Sequence, residues 1–221
     1  MATTREPAAR RVDAQRNRER LVGAARDLFA ARGVEVSVRE IARHAGVGVG
    51  TLYRHFPLRE ELVDAVLEDA FEELVAIAET ALADTDSWSG FTRFIEEALL
   101  LHARNHGLKD VVETRTHGRE RAAAMRRRIG PLVDRLVERA QRQGTLRADF
   151  TPQDIPLLFW GADRVIELAG DVAPEIWRRQ LGFVFDGLRS TAASPLAQPP
   201  LSEKQLRRVG ARKAAKAKTH D

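Results

Sequence analysis

The sequence predicts an all-α protein, a small N-terminal three-helix unit followed by a larger helical body, about nine helices in all. Apolar residues recur at three- and four-residue steps through almost the whole chain. No run of alternating β-branched residues is long enough for a sheet. Capping residues, glycines and prolines break the helical pattern at intervals of one helix length.

The first helix is predicted over about Asp13–Arg32, where Leu21, Ala24, Ala25, Leu28 and Phe29 make one apolar stripe and Gly33 ends it. Ser37-Val38-Arg39-Glu40 fits a capping box, with the Ser37 hydroxyl accepting from the Glu40 amide and the Glu40 carboxylate from the Ser37 amide. The helix it opens turns Ile41 and Ala42 inward and stops at Ala45-Gly46, where glycine accepts a left-handed turn. A further short helix is predicted from Gly48 to Phe56. Two short helices joined by a glycine-containing turn make a helix-turn-helix. A long amphipathic helix follows from Leu58 to Ala83, burying Leu62, Val63, Val66, Ala70, Phe71, Leu74, Ile77, Ala78 and Ala81.

Polar residues from Asp84 to Gly90 separate this unit from the body. The body's helices are expected over Trp88–Asn105, Leu108–Thr116, Arg119–Gln143, Thr151–Ala169 and Pro174–Thr191. Thr151 to Asp154 and Asp171 to Glu175 each combine a capping residue with a first-turn proline, Pro152 and Pro174. A proline-rich segment, Ser194 to Pro200, leads to a basic, alanine-rich tail expected to be mobile or weakly helical. The expected division is a flexible basic N-terminus (1–12), the helix-turn-helix unit (13–60), the body (61–192) and a linker with tail (193–221).

Composition narrows the class. The 221 residues allow one large domain or two small ones. The absence of cysteine excludes a disulfide framework, a thiolate nucleophile and a zinc site built on sulfur. Hydrophobic residues at 43% and charged residues at 31% describe a globular chain. No stretch reaches the ~18 apolar residues of a membrane span, and the charged N-terminus lacks the apolar centre of a secretion signal. A cytoplasmic location without membrane partners is the expectation.

Charge is unevenly placed. Residues 1–60 hold 12 Arg against 7 acids, residues 61–202 hold 17 basic against 23 acidic side chains, and residues 203–221 hold 7 basic against 2. A basic module on an acidic body suggests that only the first segment faces a polyanion. Charge alone leaves open a merely solvated surface rich in arginine, since the chain uses 31 Arg and only 5 Lys.

The segment Ser37-Val-Arg-Glu-Ile-Ala-Arg-His-Ala-Gly-Val-Gly-Val-Gly-Thr-Leu-Tyr-Arg-His-Phe56 resembles the DNA-binding signature of the TetR/AcrR family of bacterial transcriptional regulators. The likeness extends upstream through Ala25-Arg-Asp-Leu-Phe29 and downstream through Pro57-Leu-Arg-Glu-Glu-Leu62, covering roughly residues 14–75. Elementary physics agrees. A short helix enters the major groove, roughly 12 Å wide, only if its leading side chains are small. Gly48, Val49, Gly50 and Thr51 meet that need, while Leu52 and Phe56 form the docking side.

The resemblance implies roles for individual residues. Thr51 and Tyr53 are similar to positions that contact phosphate, as is Arg59, where the family often has lysine. Val49, Gly50 and Arg54 resemble positions that read bases, and Arg39 a position that in some members reaches a guanine. His55 matches a frequent aromatic or histidine on the DNA backbone. Gly48 departs from the serine common at its position, which removes a side-chain cap and one potential phosphate contact.

The resemblance further implies a homodimer paired through the last two long helices, and a small-molecule effector held in the body. Those helices are apolar on more than one face, which calls for two partners, with a fully internal helix pair as the alternative. Leu158, Val165, Trp177, Leu181, Val184 and Leu188 are the candidate dimer residues. Trp88, Phe91, Phe94, Leu99, His102, Thr114, His117, Met125 and Trp160 are the candidate pocket residues, with plain core packing as the alternative. A palindromic double-stranded operator would be bound by two copies about 34–36 Å apart. A bound effector would tilt the long helix and spoil that spacing, in the manner of a repressor.

His102 and His106 stand four apart, as do Glu113 and His117, but a metal needs three or four convergent ligands. No metal or other cofactor is expected. There is no phosphate-cradling glycine loop, nucleophile elbow or acid–base pair to suggest catalysis. The rival is a small-molecule carrier or an enzyme built on the same helical body.

Overall fold

The computed structural model describes residues 6–32, 36–104 and 116–206, together with 208, 209 and 212. Among these it holds the α-helices α1 (Glu6–Arg32), α2 (Val38–His44), α3 (Val49–His55), α4 (Arg59–Ala83), α5 (Ser87–Arg104), α6 (Thr116–Arg142), α7 (Ile155–Ala169) and α8 (Ile176–Leu188). Two 3-10 turns, Pro152–Asp154 and Ser190–Ala192, follow the same order, and residues 203–206 of the tail are also helical, with the Leu206 amide donating to the Ser202 carbonyl at 3.0 Å. The only β-type pairing among the described residues is an isolated bridge between Leu146 and Arg189. The chain is all-α, as the periodicity predicts. The helix expected over Leu108–Thr116 falls almost wholly outside the described residues, as do Gly33, His106 and Glu113.

Among the boundaries that differ from those expected, three have a local reason. Helix α1 already includes Glu6, well before the expected Asp13, in keeping with the helix-favouring alanines that follow Pro7. The segment opened by Thr151 is first a 3-10 turn. Asp154 Oδ2 accepts from the Thr151 amide at 2.8 Å and from its hydroxyl at 3.0 Å, closing that turn before α7 starts. Pro174 lies in the turn before α8, which starts at Ile176 with no side-chain cap.

The chain divides into two compact units, with the division in α4 between Glu72 and Glu73. The first contains α1, α2, α3 and the opening half of α4. Its core joins Leu21, Ala25 and Phe29 of α1 to Ile41 of α2, Leu52 of α3 and Leu62 and Val66 of α4. All seven are 0–1% exposed, so this small unit has its own buried apolar core.

The second unit buries Ala78 and Ala81 of α4 among Phe91, Ile95 and Leu99 of α5, Val137 and Ala140 of α6, and Trp177, Leu181 and Phe185 of α8. Aromatic rings interlock there. Phe91 meets Phe150 edge-on at 5.5 Å, and Trp88 meets Phe185 edge-on at 6.3 Å. Arg139 of α6 closes the end of α4, donating to the carbonyl oxygens of Leu82 at 2.6 Å, Thr85 at 3.1 Å, and Asp84. It satisfies acceptors that a helix C-terminus leaves unpaired. Arg147, 7% exposed, pairs with Asp149 and donates to the Gly187 carbonyl at 3.1 Å and the Ser194 carbonyl at 2.6 Å. It fastens the end of α8 to the loop after α6.

Candidate nucleic-acid interface

The helix-turn-helix is fixed by local chemistry. The Ser37–Glu40 capping box is formed, and Arg32 Nη1 donates to Glu40 Oε1 at 3.0 Å, tying the start of α2 to the end of α1. Ser37 and Arg32 together hold the Glu40 carboxyl below its ordinary range. At the turn, Gly46 takes φ +66°, a conformation that side chains resist. Its amide and that of Val47 donate back to the Arg43 and Ala42 carbonyls at 3.1 and 3.0 Å. Gly48 then caps α3 in an extended conformation with no side-chain bond, as its departure from serine implies. Leu52 and Phe56, 1% and 3% exposed, anchor α3 on the core.

That anchoring presents the opposite side of α3 outward. Gly50, Tyr53 and Arg54 are exposed, and Val49 and Thr51 are half-buried. A Cβ added at Gly48 or Gly50 would meet nothing within 4 Å, so both positions border open space. Arg39 of α2 is exposed. His55 behaves differently, being half-buried with its Nε2 out of solvent. Burial, and then the charges of Arg54 and Arg18, push its pKa down.

Ion pairing sorts the arginines of this unit. Arg26 pairs with Asp69, Arg32 with Glu40, and the half-buried Arg59 is already engaged within the chain. Arg39, Arg43 and Arg54 have no carboxylate partner among the described residues. Unpaired guanidiniums clustered on one small motif are a surface prepared for a polyanion. Arg18 of α1, to which the helix-turn-helix pattern does not point, belongs to the same set. It lies over the Phe56 ring, 5.4 Å from the centroid.

In the second unit, Trp88, Phe91, Phe94 and Leu99 are buried in the core, at 9% exposure or less. His102, Met125 and Trp160 are half-buried. His102 Nε2 stands 3.0 Å from Asp163 Oδ2, a contact between α5 and α7, and its ring centroid lies 5.7 Å from that of Phe159. Thr114 and the side chain of His117 lie outside the described residues. Among the described residues no group of His, Asp and Glu is placed to hold a metal ion.

The candidate dimer residues separate in the same way. Trp177, Leu181 and Leu188 are 3%, 0% and 9% exposed within one protomer, so they have almost no area left to cover with a second copy. Their spacing puts them on the inner face of α8. Leu158, Val165 and Val184 are half-buried. The outward apolar residues are others: Leu157 and Leu168 of α7, Val172 beyond it, and Phe183 of α8, 42–90% exposed.

Comparison with known proteins bears on this architecture. Residues 21–66 match the family model described as bacterial regulatory proteins of the tetR family. Residues 86–190 match the C-terminal domain of SbtR-like transcriptional regulators. A solved TetR transcription regulatory protein from Mycobacterium vanbaalenii is 36% identical, with a TM-score of 0.63 over 81% of this chain and 98% of that one. The chain belongs to the TetR family of transcriptional regulators. A second solved TetR regulator, from Streptomyces coelicolor, is 26% identical with a TM-score of 0.60, covering 78% of this chain and 98% of that one. An HTH-type transcriptional regulator of Staphylococcus aureus (strain USA300) is 44% identical over 59 residues, 26% of this chain. That match covers 32% of the relative's length, so the likeness to the curated regulators is confined to about a third of each. As a TetR-family protein, the chain has its helix-turn-helix in α2 and α3. No helix among the described residues is long and apolar enough to cross a membrane.

Proposed function

We propose that the chain is a homodimeric, ligand-responsive repressor that binds a palindromic double-stranded operator through α3. The observation that carries this is the bare leading edge of α3, open at Gly48 and Gly50, in a motif whose exposed Arg39 and Arg54 have no carboxylate partner among the described residues. A helix stripped of side chains on one edge lets its backbone approach base edges, and unpaired guanidiniums beside it gain from phosphates or guanine. Arg54 and Arg39 read bases, Val49 packs against a thymine methyl, and Thr51 and Tyr53 donate to phosphates. Arg59 contributes only if it leaves its present partner.

Two copies associate through the outer faces of α7 and α8, where Leu168 and Phe183 are exposed. Half-sites one helical turn apart, about 34–36 Å, then meet two recognition helices. A small molecule held in the second unit, near the half-buried His102 and Trp160, favours the state whose helix spacing misfits the operator. A near-complete switch requires the ligand to prefer that state by roughly 5.5 kcal/mol. Residues 13–60 serve as the DNA-binding module, 61–192 as the effector-binding and dimerisation module, and the protein acts in the cytoplasm without a cofactor.

Footprinting of the purified protein on genomic DNA tests this reading. The expected result is a discrete palindrome whose occupancy falls steeply with salt as counterions are released. A small-molecule carrier on the same body would leave no footprint. Tyr53→Phe is expected to weaken all sites alike, and Arg54→Ala to relax preference at one base position.

A further inference from the structure

We infer that Arg18, on α1 and outside the helix-turn-helix, is a DNA-backbone contact whose guanidinium takes a phosphate beside the groove that α3 enters. This rests on the operator-binding reading above and extends it to a residue of α1 to which that reading gives no DNA contact.

Position comes first. Arg18 lies over the ring of Phe56, which is 3% exposed and forms the C-terminal cap of α3. Its charge is therefore set relative to the recognition helix by a ring that cannot move without the core. Stacking on an aromatic face leaves the planar edge of a guanidinium free for two parallel bonds to an oxyanion.

Pairing points the same way. A cleft of about 370 Å³ between α1 and α4 is lined by Arg18 and Arg26 together with the acids Glu19, Glu68, Asp69 and Glu72. Arg26 takes Asp69, yet the exposed Arg18 has no carboxylate partner among the described residues. An arginine bordering four acids and pairing with none of them keeps its charge directed elsewhere. After burial and the neighbouring Arg54, the charge of Arg18 also lowers the His55 pKa, so it is felt at the last turn of α3. Arg59, the residue the family pattern suggests for a phosphate here, is already engaged.

The test measures binding of the full chain to mixed-sequence duplex DNA by fluorescence anisotropy, from about 50 to 200 mM salt. Arg18→Met keeps the aliphatic stem over Phe56 and removes the charge. Arg18→Gln is a second neutral variant should the first fail to fold, and Arg18→Lys keeps the charge. Both neutral variants are expected to lower the slope of log K against log salt by about 0.9 for each phosphate they no longer neutralise. They should weaken binding by the same factor on unrelated sequences, while Arg18→Lys keeps the slope of the parent. A folded neutral variant with the parent slope overturns the role of Arg18 and leaves operator binding standing. A parent chain that binds no duplex at low salt overturns operator binding, and the inference with it.

Discussion

Ser37 and Glu40 cap one another at the start of α2. The Ser37 hydroxyl oxygen accepts from the Glu40 amide at 3.3 Å, while Glu40 Oε2 accepts from the Ser37 amide at 3.3 Å and its hydroxyl at 3.0 Å. Arg32 adds a bond to the other carboxylate oxygen, so one half-buried side chain couples the end of α1 to the start of α2. The helix-turn-helix is held at its entrance by this cluster and at its turn by Gly46.

Ser37→Ala is expected to cost about 1 kcal/mol in urea unfolding. Glu40→Gln should remove a dependence on acid. The Glu40 pKa is lower folded than unfolded, so its stabilisation is complete above the unfolded value and lost as pH falls through the folded one. Unfolding curves of the parent and Glu40→Gln proteins should therefore converge in acid and separate toward neutrality.

Gly46 and Gly50 should respond oppositely to alanine. At Gly46 a Cβ would combine φ +66° with a distance of 2.6 Å to Arg20 Nη2, and the left-handed backbone alone costs about 1–2 kcal/mol. At Gly50 nothing lies within 4 Å, and alanine should stabilise the helix by up to about 1 kcal/mol. Thermal unfolding checks both. If α3 approaches DNA as proposed, Gly50→Leu leaves the fold intact and weakens operator binding by about tenfold or more, since its side chain would project into the major groove. An undiminished affinity would contradict the proposed approach of α3.

Arg139→Met should destabilise the second unit by about 2 kcal/mol, because it strips a charged donor from three carbonyl oxygens at the end of α4. Lysine should recover only part of the loss, since one ammonium does not reproduce a forked guanidinium. The urea midpoint reads the stability. Hydrogen exchange at residues 84–90 should rise in the methionine variant and remain unchanged at α3.

Leu168→Glu and Phe183→Glu test the proposed dimer. Both residues are exposed, at 68% and 66%, so neither change disturbs a protomer core. Each is expected to weaken self-association by about 2 kcal/mol, roughly thirtyfold in Kd, by sedimentation velocity. Leu181→Glu is the contrast. At 0% exposure, it should unfold the protomer instead of dissociating a folded pair.

Much of the first unit is legible in the sequence because its determinants are local. The capping pair is three residues apart, the glycine turn is one residue, and the inward stripe of α1 repeats within each turn. The helical period, the helix-turn-helix and the bare edge of α3 follow from contacts that neighbours along the chain make with each other. Tertiary structure decided which members of an apolar stripe or a basic cluster are already taken. Trp177 and Phe183 look alike in sequence, but one is packed inside and the other left outside by helices distant along the chain. His102 meets Asp163 across 61 residues, and Arg139 reaches Leu82 across 57. Arg18 differs from Arg26 only because Asp69 lies beside one and Phe56 beneath the other. Burial and charge pairing are settled by whichever groups folding brings within a few ångströms, and residue spacing along the chain does not encode that choice.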